Sequence, residues 1–467
     1  MENDNKFLGT EPLGKLMFKL AIPAVAAQLI NMLYNLVDRI YIGHIPENGA
    51  FALTGLGVCM PVIMIITAFA ALVSMGGAPK ASIAMGEGNN NEAERIMGTC
   101  FTMQIIVSAA LTAVLLIWNR EFLFLFGASE NTIEYATSYM RIYALGTIFV
   151  QLTLGMNAFI SAQGFAKTAM LSVLIGAISN IILDPILIFG FEMGVRGAAL
   201  ATIISQAISM TWVLLFLFGK KTILKLRPKN LKISLRIASS VTALGLAPFI
   251  MQASESVIAI CFNSSLLGYG GDIAVGAMTI LTSVMQFSML PLQGLAQGSM
   301  PITSYNFGAK NADRVKKSFK LLLRVSLTYS ALLWALVMLF PQIFAAMFTG
   351  DAMLVEFTQW ALRIYCACML IFGAQIACQM TFISMDNARS SIIVAVVRKF
   401  VLLIPLIYIL PNFFANKTMA VYLAEPVADL IAVMFTVILF AAQFKKALAK
   451  IEKPVSTDGS ESTITEI

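Results

Sequence analysis

Twelve times along this 467-residue chain, an apolar stretch of about 20 residues runs between polar breaks. That is the length an α-helix needs to cross the ~30 Å hydrocarbon core of a bilayer. The spans are read at 16–42, 52–79, 96–118, 133–160, 168–190, 196–219, 237–265, 273–300, 319–340, 357–384, 391–411 and 418–443. With 58% hydrophobic and 12% charged residues, the chain lacks the polar surface that would keep so many helices in water. The expected fold is an all-α polytopic membrane protein. Soluble enzymes and nucleic-acid binders are effectively excluded on the same ground.

Placing successive loops on alternate sides assigns 24 of the 32 Lys and Arg to one face. They include the run Lys220, Lys221, Lys225, Arg227, Lys229, Lys232 and Arg236, and the tail residues Lys445, Lys446, Lys450 and Lys453. By the positive-inside rule both termini are expected in the cytoplasm, and an odd number of spans would break the segregation. The net charge of +7 then reads as orientation and contact with anionic lipid headgroups, not as a nucleic-acid surface. Cys59, Cys100, Cys261, Cys366, Cys368 and Cys378 all sit in apolar stretches and read as small hydrophobes. With His44 as the lone histidine, neither a metal centre of the usual kind nor histidine-based catalysis is expected. The polar first ten residues do not read as a cleavable signal peptide.

The chain also repeats itself. At an offset of 222, Gly76 matches Gly298, Pro79 matches Pro301, Ser82 matches Ser304 and Gly86 matches Gly308. The same register pairs Phe126 with Phe348, Glu134 with Glu356, Arg141-Ile142-Tyr143 with Arg363-Ile364-Tyr365, and Ala166-Lys167 with Ala388-Arg389. Each copy carries six spans, so the two copies share one orientation and are expected to be related by a pseudo-twofold along the membrane normal. The predicted organisation is an N-lobe over 1–219, a basic cytoplasmic linker over 220–236, a C-lobe over 237–445 and a polar cytoplasmic tail over 446–467. Two lobes facing each other leave a central cleft, and rocking one against the other alternates its access.

A carboxylate inside the bilayer is costly unless paired or protonated, so each is a functional candidate. Asp38 falls near the outer end of span 1. Asp184 lies about two turns below the outer end of span 5, with Asn180 on the same face, and Thr202 sits at similar depth in span 6. Pro185 leaves the carbonyl of Ile181 without its usual donor and is expected to kink the helix beside Asp184. Such oxygens suit a small hard cation or a proton shared between two acids. The structural alternative has Asn180 and Asp184 capping buried backbone while Asp38 pairs with Arg39. Glu255, among Gln252, Ser254 and Ser256, has no basic residue within a helical turn and is expected either as a protonated acid or as an attractor of cations. Arg398 on span 11 and Asp429 on span 12 fall at similar depth and are expected as a buried structural ion pair, with Lys399 and Glu425 beside them. Gln28, Asn31, Asn35, Asn157, Gln206, Gln286 and Gln293 either line the cleft or bind helices together.

These residues carry a resemblance to the multidrug and toxic compound extrusion (MATE) family. Leu33-Tyr34-Asn35-Leu36-Val37-Asp38-Arg39-Ile40-Tyr41-Ile42-Gly43 is similar to the first-helix signature of its bacterial MepA-like and DinF-like branches. Residues 176–185, which include Asn180, Asp184 and Pro185, resemble the family's fifth helix, and residues 194–202 the start of its sixth. In the second half, Gln297-Gly298 through Pro301 and residues 305–310 match as well, so the likeness covers nearly all of 10–445. It implies a monomeric antiporter of the bacterial inner membrane that exports small organic, often cationic and amphipathic compounds. The driving force would be inward H+ or Na+ flow, with no organic cofactor and no metal beyond that Na+. The cation site it implies uses Asp38, Asn180, Asp184, the backbone of Ala198, and Thr202. Some NorM-like relatives also use a seventh-helix acid, for which Glu255 is the candidate. A tenth-helix acid is not evident, since Asp386 lies at the cytoplasmic end of span 10. The alternative function is a lipid-linked precursor flippase of the same general fold, which would need a strongly cationic cavity. A membrane-embedded enzyme finds no catalytic motif here.

Overall fold

A computed structural model describes residues 6–46 and 49–452, and every regular element within them is helical. Residues 453–467, the end of the polar tail, lie outside the described residues. The first six spans are α1 (Leu13–Gly43), α2 (Gly49–Gly86), α3 (Asn90–Ile117), α4 (Ile133–Leu145 with Thr147–Ala162), α5 (Ala166–Pro185, continued by a π turn over Ile186–Gly190) and α6 (Val195–Phe218). A helical stretch over Leu235–Gly308 breaks at Gly271, whose φ of 64° suits a residue without Cβ, and so forms α7 (235–270) and α8 (271–308). There follow α9 (Ala312–Leu339), α10 (Ala352–Tyr365 with Met369–Ser384), α11 (Ala388–Asn412) and α12 (Lys417–Glu452). Among the described residues nine helices are long and apolar enough to cross a membrane when Leu235–Gly308 counts once. Dividing it at Gly271 and joining the halves of α4, bent by 56°, and of α10, bent by 49°, gives twelve.

The sequence repeat is a repeat of backbone detail. Asn89 caps α3 by accepting from Glu92 N at 3.1 Å, and Asn311, 222 residues on, caps α9 by accepting from Arg314 N at 3.1 Å. Gly88 and Lys310 both take positive φ, as do Gly164 and Asp386. Each of these pairs is again 222 apart, so the same turns recur where the side chains no longer agree.

How the lobes meet follows from where apolar residues cluster. Ile42, Leu56, Tyr139 and Ala198 belong to a core built from the N-lobe alone, and Phe262, Leu281, Leu362 and Tyr422 to one built from the C-lobe alone. A third core takes Leu20, Val73 and Met97 from one lobe and Val241, Ile302 and Ala377 from the other. The halves are therefore fused on the side bearing the basic loops. The bonds bridging them run from there to the middle of the helices: Ser82 Oγ donates to the Pro301 carbonyl (3.3 Å), Gln28 Nε2 to Gln297 Oε1 (3.2 Å) and Gln252 Nε2 to Thr67 Oγ1 (2.7 Å), while Lys80 pairs with Asp386. Backbones touch at the glycines. A Cβ on Gly86 would strike the Tyr305 carbonyl, and one on Gly308 would strike the carbonyl of Ile83, the repeat counterpart of Tyr305.

Two peripheral segments close this side. Leu8 is buried, and its carbonyl accepts from Asn306 Nδ2 (3.0 Å) and Arg314 Nη2 (3.2 Å). The linker is held to the N-lobe: Gln163 Oε1 accepts from Thr222 Oγ1, Ile223 N and Leu224 N at 2.8–2.9 Å, and Glu94 accepts from Lys225 N (3.1 Å) and Arg227 Nε (2.9 Å).

Candidate functional site

In the outer part of the N-lobe, α1, α5 and α6 bring the acids together. Spacing of four on α5 puts Asn180 and Asp184 on one face, and Asn180 Nδ2 donates to Asp184 Oδ1 at 3.2 Å. Asp184 is 0% exposed, Asn180 2% and Asp38 7%. The carboxyls of Asp38 and Asp184 are neighbours in electrostatic contact with each other. Among the described residues neither makes an ion pair, and Arg39, beside Asp38 in sequence, is exposed. Asp38 Oδ1, Asn180 Oδ1 and Asp184 Oδ2 are buried with no donor. Two acids in such contact need a proton or a small cation between them, because two bare carboxylates repel.

On α6 the Thr202 hydroxyl donates to the Ala198 carbonyl at 3.0 Å, leaving its own oxygen able to accept, and Tyr139 lies beside it. Tyr34 lies one turn before Asp38 on the same face and within its electrostatic reach. Neither tyrosine stood out in the sequence, where an aromatic residue in an apolar span looks like packing. Next to the acids a small polar cavity is bounded by Asn31, Tyr34, Asn180, Thr202, Ser205 and Gln206. Three acceptor oxygens without donors, next to a hydroxyl and a carbonyl, fit the hard-oxygen preference of Na+ as well as a shared proton. Among the described residues no group of three or more His, Cys, Asp or Glu forms a transition-metal site.

The other polar candidates separate. Asn31 and Gln206 reach the cavity. Gln28 belongs to the seam between lobes, and Asn157 Nδ2 binds α4 to α5 through the Ala169 carbonyl (3.2 Å). Asn35 donates to the carbonyl of Asn31 within its own helix (2.6 Å), and Gln286 and Gln293 are exposed on α8.

The C-lobe holds a different cluster. Arg398 Nε donates to Asp429 Oδ1 at 2.8 Å, Arg398 Nη2 lies 3.5 Å from Glu425 Oε1, and the guanidinium stands 4.5 Å from the Phe372 ring centroid. Glu255, expected without a basic partner, has one: Lys399 Nζ is 2.7 Å from its Oε1. The partner comes from α11, 144 residues away, so a search within one helical turn misses it. Arg398 and Lys399 both point inward because α11 widens into a π stretch over Val397–Leu403. The repeat counterparts of these five residues are Gly176, Ala177, Leu33, Ile203 and Ala207, and those of Asp38, Asn180, Asp184 and Thr202 are Ile260, Leu402, Leu406 and Ala424. Each lobe thus carries a polar cluster that the other lobe fills with apolar or small residues.

Comparison with known proteins agrees with this architecture. The family model described as MatE matches residues 23–186 and 248–409. The chain is 24% identical to the multidrug export protein MepA of Staphylococcus haemolyticus over 91% of its length and 93% of that protein. It is 23% identical to the MepA of Staphylococcus aureus strain NCTC 8325, over 92% and 94%. Among solved structures, a MATE in the bent conformation superposes with a TM-score of 0.90 at 22% identity, covering 96% of this chain and 99% of that one. The outward-facing conformation of a multidrug resistance MATE family transporter gives 0.89, at 22% identity, with 97% and 99% covered.

Proposed function

The chain belongs to the MatE family, a family of transporters and not of enzymes, and from that premise we propose that it exports small organic cations by alternating access, driven by inward flow of H+ or Na+. One observation carries the coupling: Asp38 and Asp184 are buried as electrostatic neighbours, and among the described residues neither is paired with a basic side chain and the acceptor oxygens Asp38 Oδ1, Asn180 Oδ1 and Asp184 Oδ2 lack donors. A cation entering there removes the repulsion between the carboxylates and draws α1 toward α5. Substrate in the cleft favours the arrangement in which the cation is released. This difference in affinity between two lobe arrangements is what any coupled switch requires. The export direction is supported by the names of the MepA relatives. With the basic loops inside, both termini are cytoplasmic, the protein acts as a monomer in the bacterial inner membrane, and the cleft faces outward.

The test uses purified protein in liposomes with ethidium as substrate and an imposed pH or Na+ gradient in separate arms. Asp38→Asn and Asp184→Asn are expected to abolish gradient-driven ethidium movement in whichever arm drives the wild type. If both variants keep wild-type gradient dependence, the coupling site is wrong. If neither gradient drives the wild type, the antiport reading falls.

A further inference from the structure

Two ion pairs lie side by side in the C-lobe, and they are built differently. Arg398 is buried with both of its acids, Asp429 and Glu425, and is capped by the Phe372 ring. Every partner in that group is closed off. In the second pair the base is buried and the acid is not: the Lys399 side chain is 5% exposed and that of Glu255 50%. A half-exposed carboxylate in a membrane-spanning helix faces a water-filled space and not lipid. Its place on α7 agrees, because Gln252, three residues before, and Ser256, one after, both reach across to α2 of the other lobe. Glu255 therefore stands at the floor of the cleft, where the seam ends.

The charges do not balance. Three carboxylates face two cations, so the ionised cluster is short of one positive charge. Glu425 is the under-held member, at 3.5 Å from Arg398. The Lys399 ammonium sits on a flexible four-carbon stem, in a cluster that holds more acids than bases. The apolar counterparts of the whole cluster in the N-lobe show that packing of this repeat does not require it.

We propose that Lys399 is a tethered competitor for the positive group of the substrate. One cationic group docks on Glu255, the Lys399 ammonium gives up that carboxylate, and the pair sets how many positive charges the cleft accepts. Lys399 is then a specificity-determining residue. The proposal rests on the reading of organic-cation export.

The test is equilibrium binding of ethidium, a monocation, and propidium, a dication on the same ring system, to the purified full-length protein in detergent. Lys399→Gln leaves the cluster short of two positive charges. The propidium-to-ethidium affinity ratio is expected to rise roughly tenfold or more, the size of one charge-assisted hydrogen bond. The double variant E255Q/K399Q strands no buried charge on α7 or α11 and restores the original deficit. It is expected to return the ratio to that of the wild type while weakening ethidium binding about tenfold, since the docking carboxylate is gone. A ratio in K399Q within about twofold of wild type, or an E255Q/K399Q protein that binds ethidium as tightly as wild type, overturns the role of Lys399 and leaves export standing. Failure of wild-type protein to bind either dye overturns both.

Discussion

Adding one methyl group at the seam should unlock the closed side. An ideal Cβ on Gly86 would overlap the Tyr305 carbonyl oxygen and lie 2.9 Å from Tyr305 C and Ala309 N. On Gly308 it would overlap the Ile83 oxygen and lie 2.8 Å from Ile83 C and 3.0 Å from its Cα. These obstacles are backbone atoms, which have no rotamer to change. To reach ordinary contact at 3.4 Å or more with those oxygens, α2 and α8 must part by more than an ångström, and overpacking of this kind costs about 1–3 kcal/mol. The cost falls only on the arrangement in which the seam is shut. Gly86→Ala or Gly308→Ala should therefore shift the population away from it by about 5- to 150-fold. The double variant should cost less than twice the single one, because helices already parted for one methyl admit the second. Pulsed electron–electron resonance reads this directly. Spin labels at positions 92 and 313, next to the seam, should lengthen in separation, and labels at 130 and 352, on the far side, should approach. Folded single variants whose two distance distributions both match wild type would refute the seam as the element that holds this side shut.

Breaking the buried pair in the C-lobe should cost stability. Asp429→Asn leaves Arg398 with Glu425 alone, at 3.5 Å, and is expected to destabilise by about 3–5 kcal/mol, whereas Glu425→Gln should lower the thermal midpoint of the purified protein much less. The linker offers a local measurement: Gln163→Leu takes the acceptor from Thr222, Ile223 and Leu224, at about 1–3 kcal/mol. The Ile223 and Leu224 amides should then exchange with deuterium faster while α3 is unaffected.

The spans, their number and the repeat were legible because each is a property of local composition or of register along the chain. Asp38 and Asp184 were legible for the opposite reason, as charges where charge is costly. Lys399 and Glu255 show where this ends. Each was visible as an intramembrane charge, but their pairing depends on α7 packing against α11, which no local pattern encodes. Tyr139 marks another limit: its place beside Thr202 distinguishes it from the many aromatic residues that only pack, and that neighbour is met only in three dimensions. The bend of α4 falls at Gly146, pressed against the Ile203 side chain, with no proline to announce it.

The glycine crossing at the seam is self-complementary: Gly86 meets Tyr305 as Gly308 meets Ile83, and the two contacts are counterparts of each other across the repeat. That is the geometry of an isologous dimer interface, drawn within one polypeptide. Both glycines meet a backbone carbonyl, whatever side chain that residue carries, so at this place the two halves share glycine. Elsewhere they were free to diverge, and did so by placing an acid pair in one half and a salt-bridged cluster in the other. The seam marks what the halves still share, while the clusters mark where they differ.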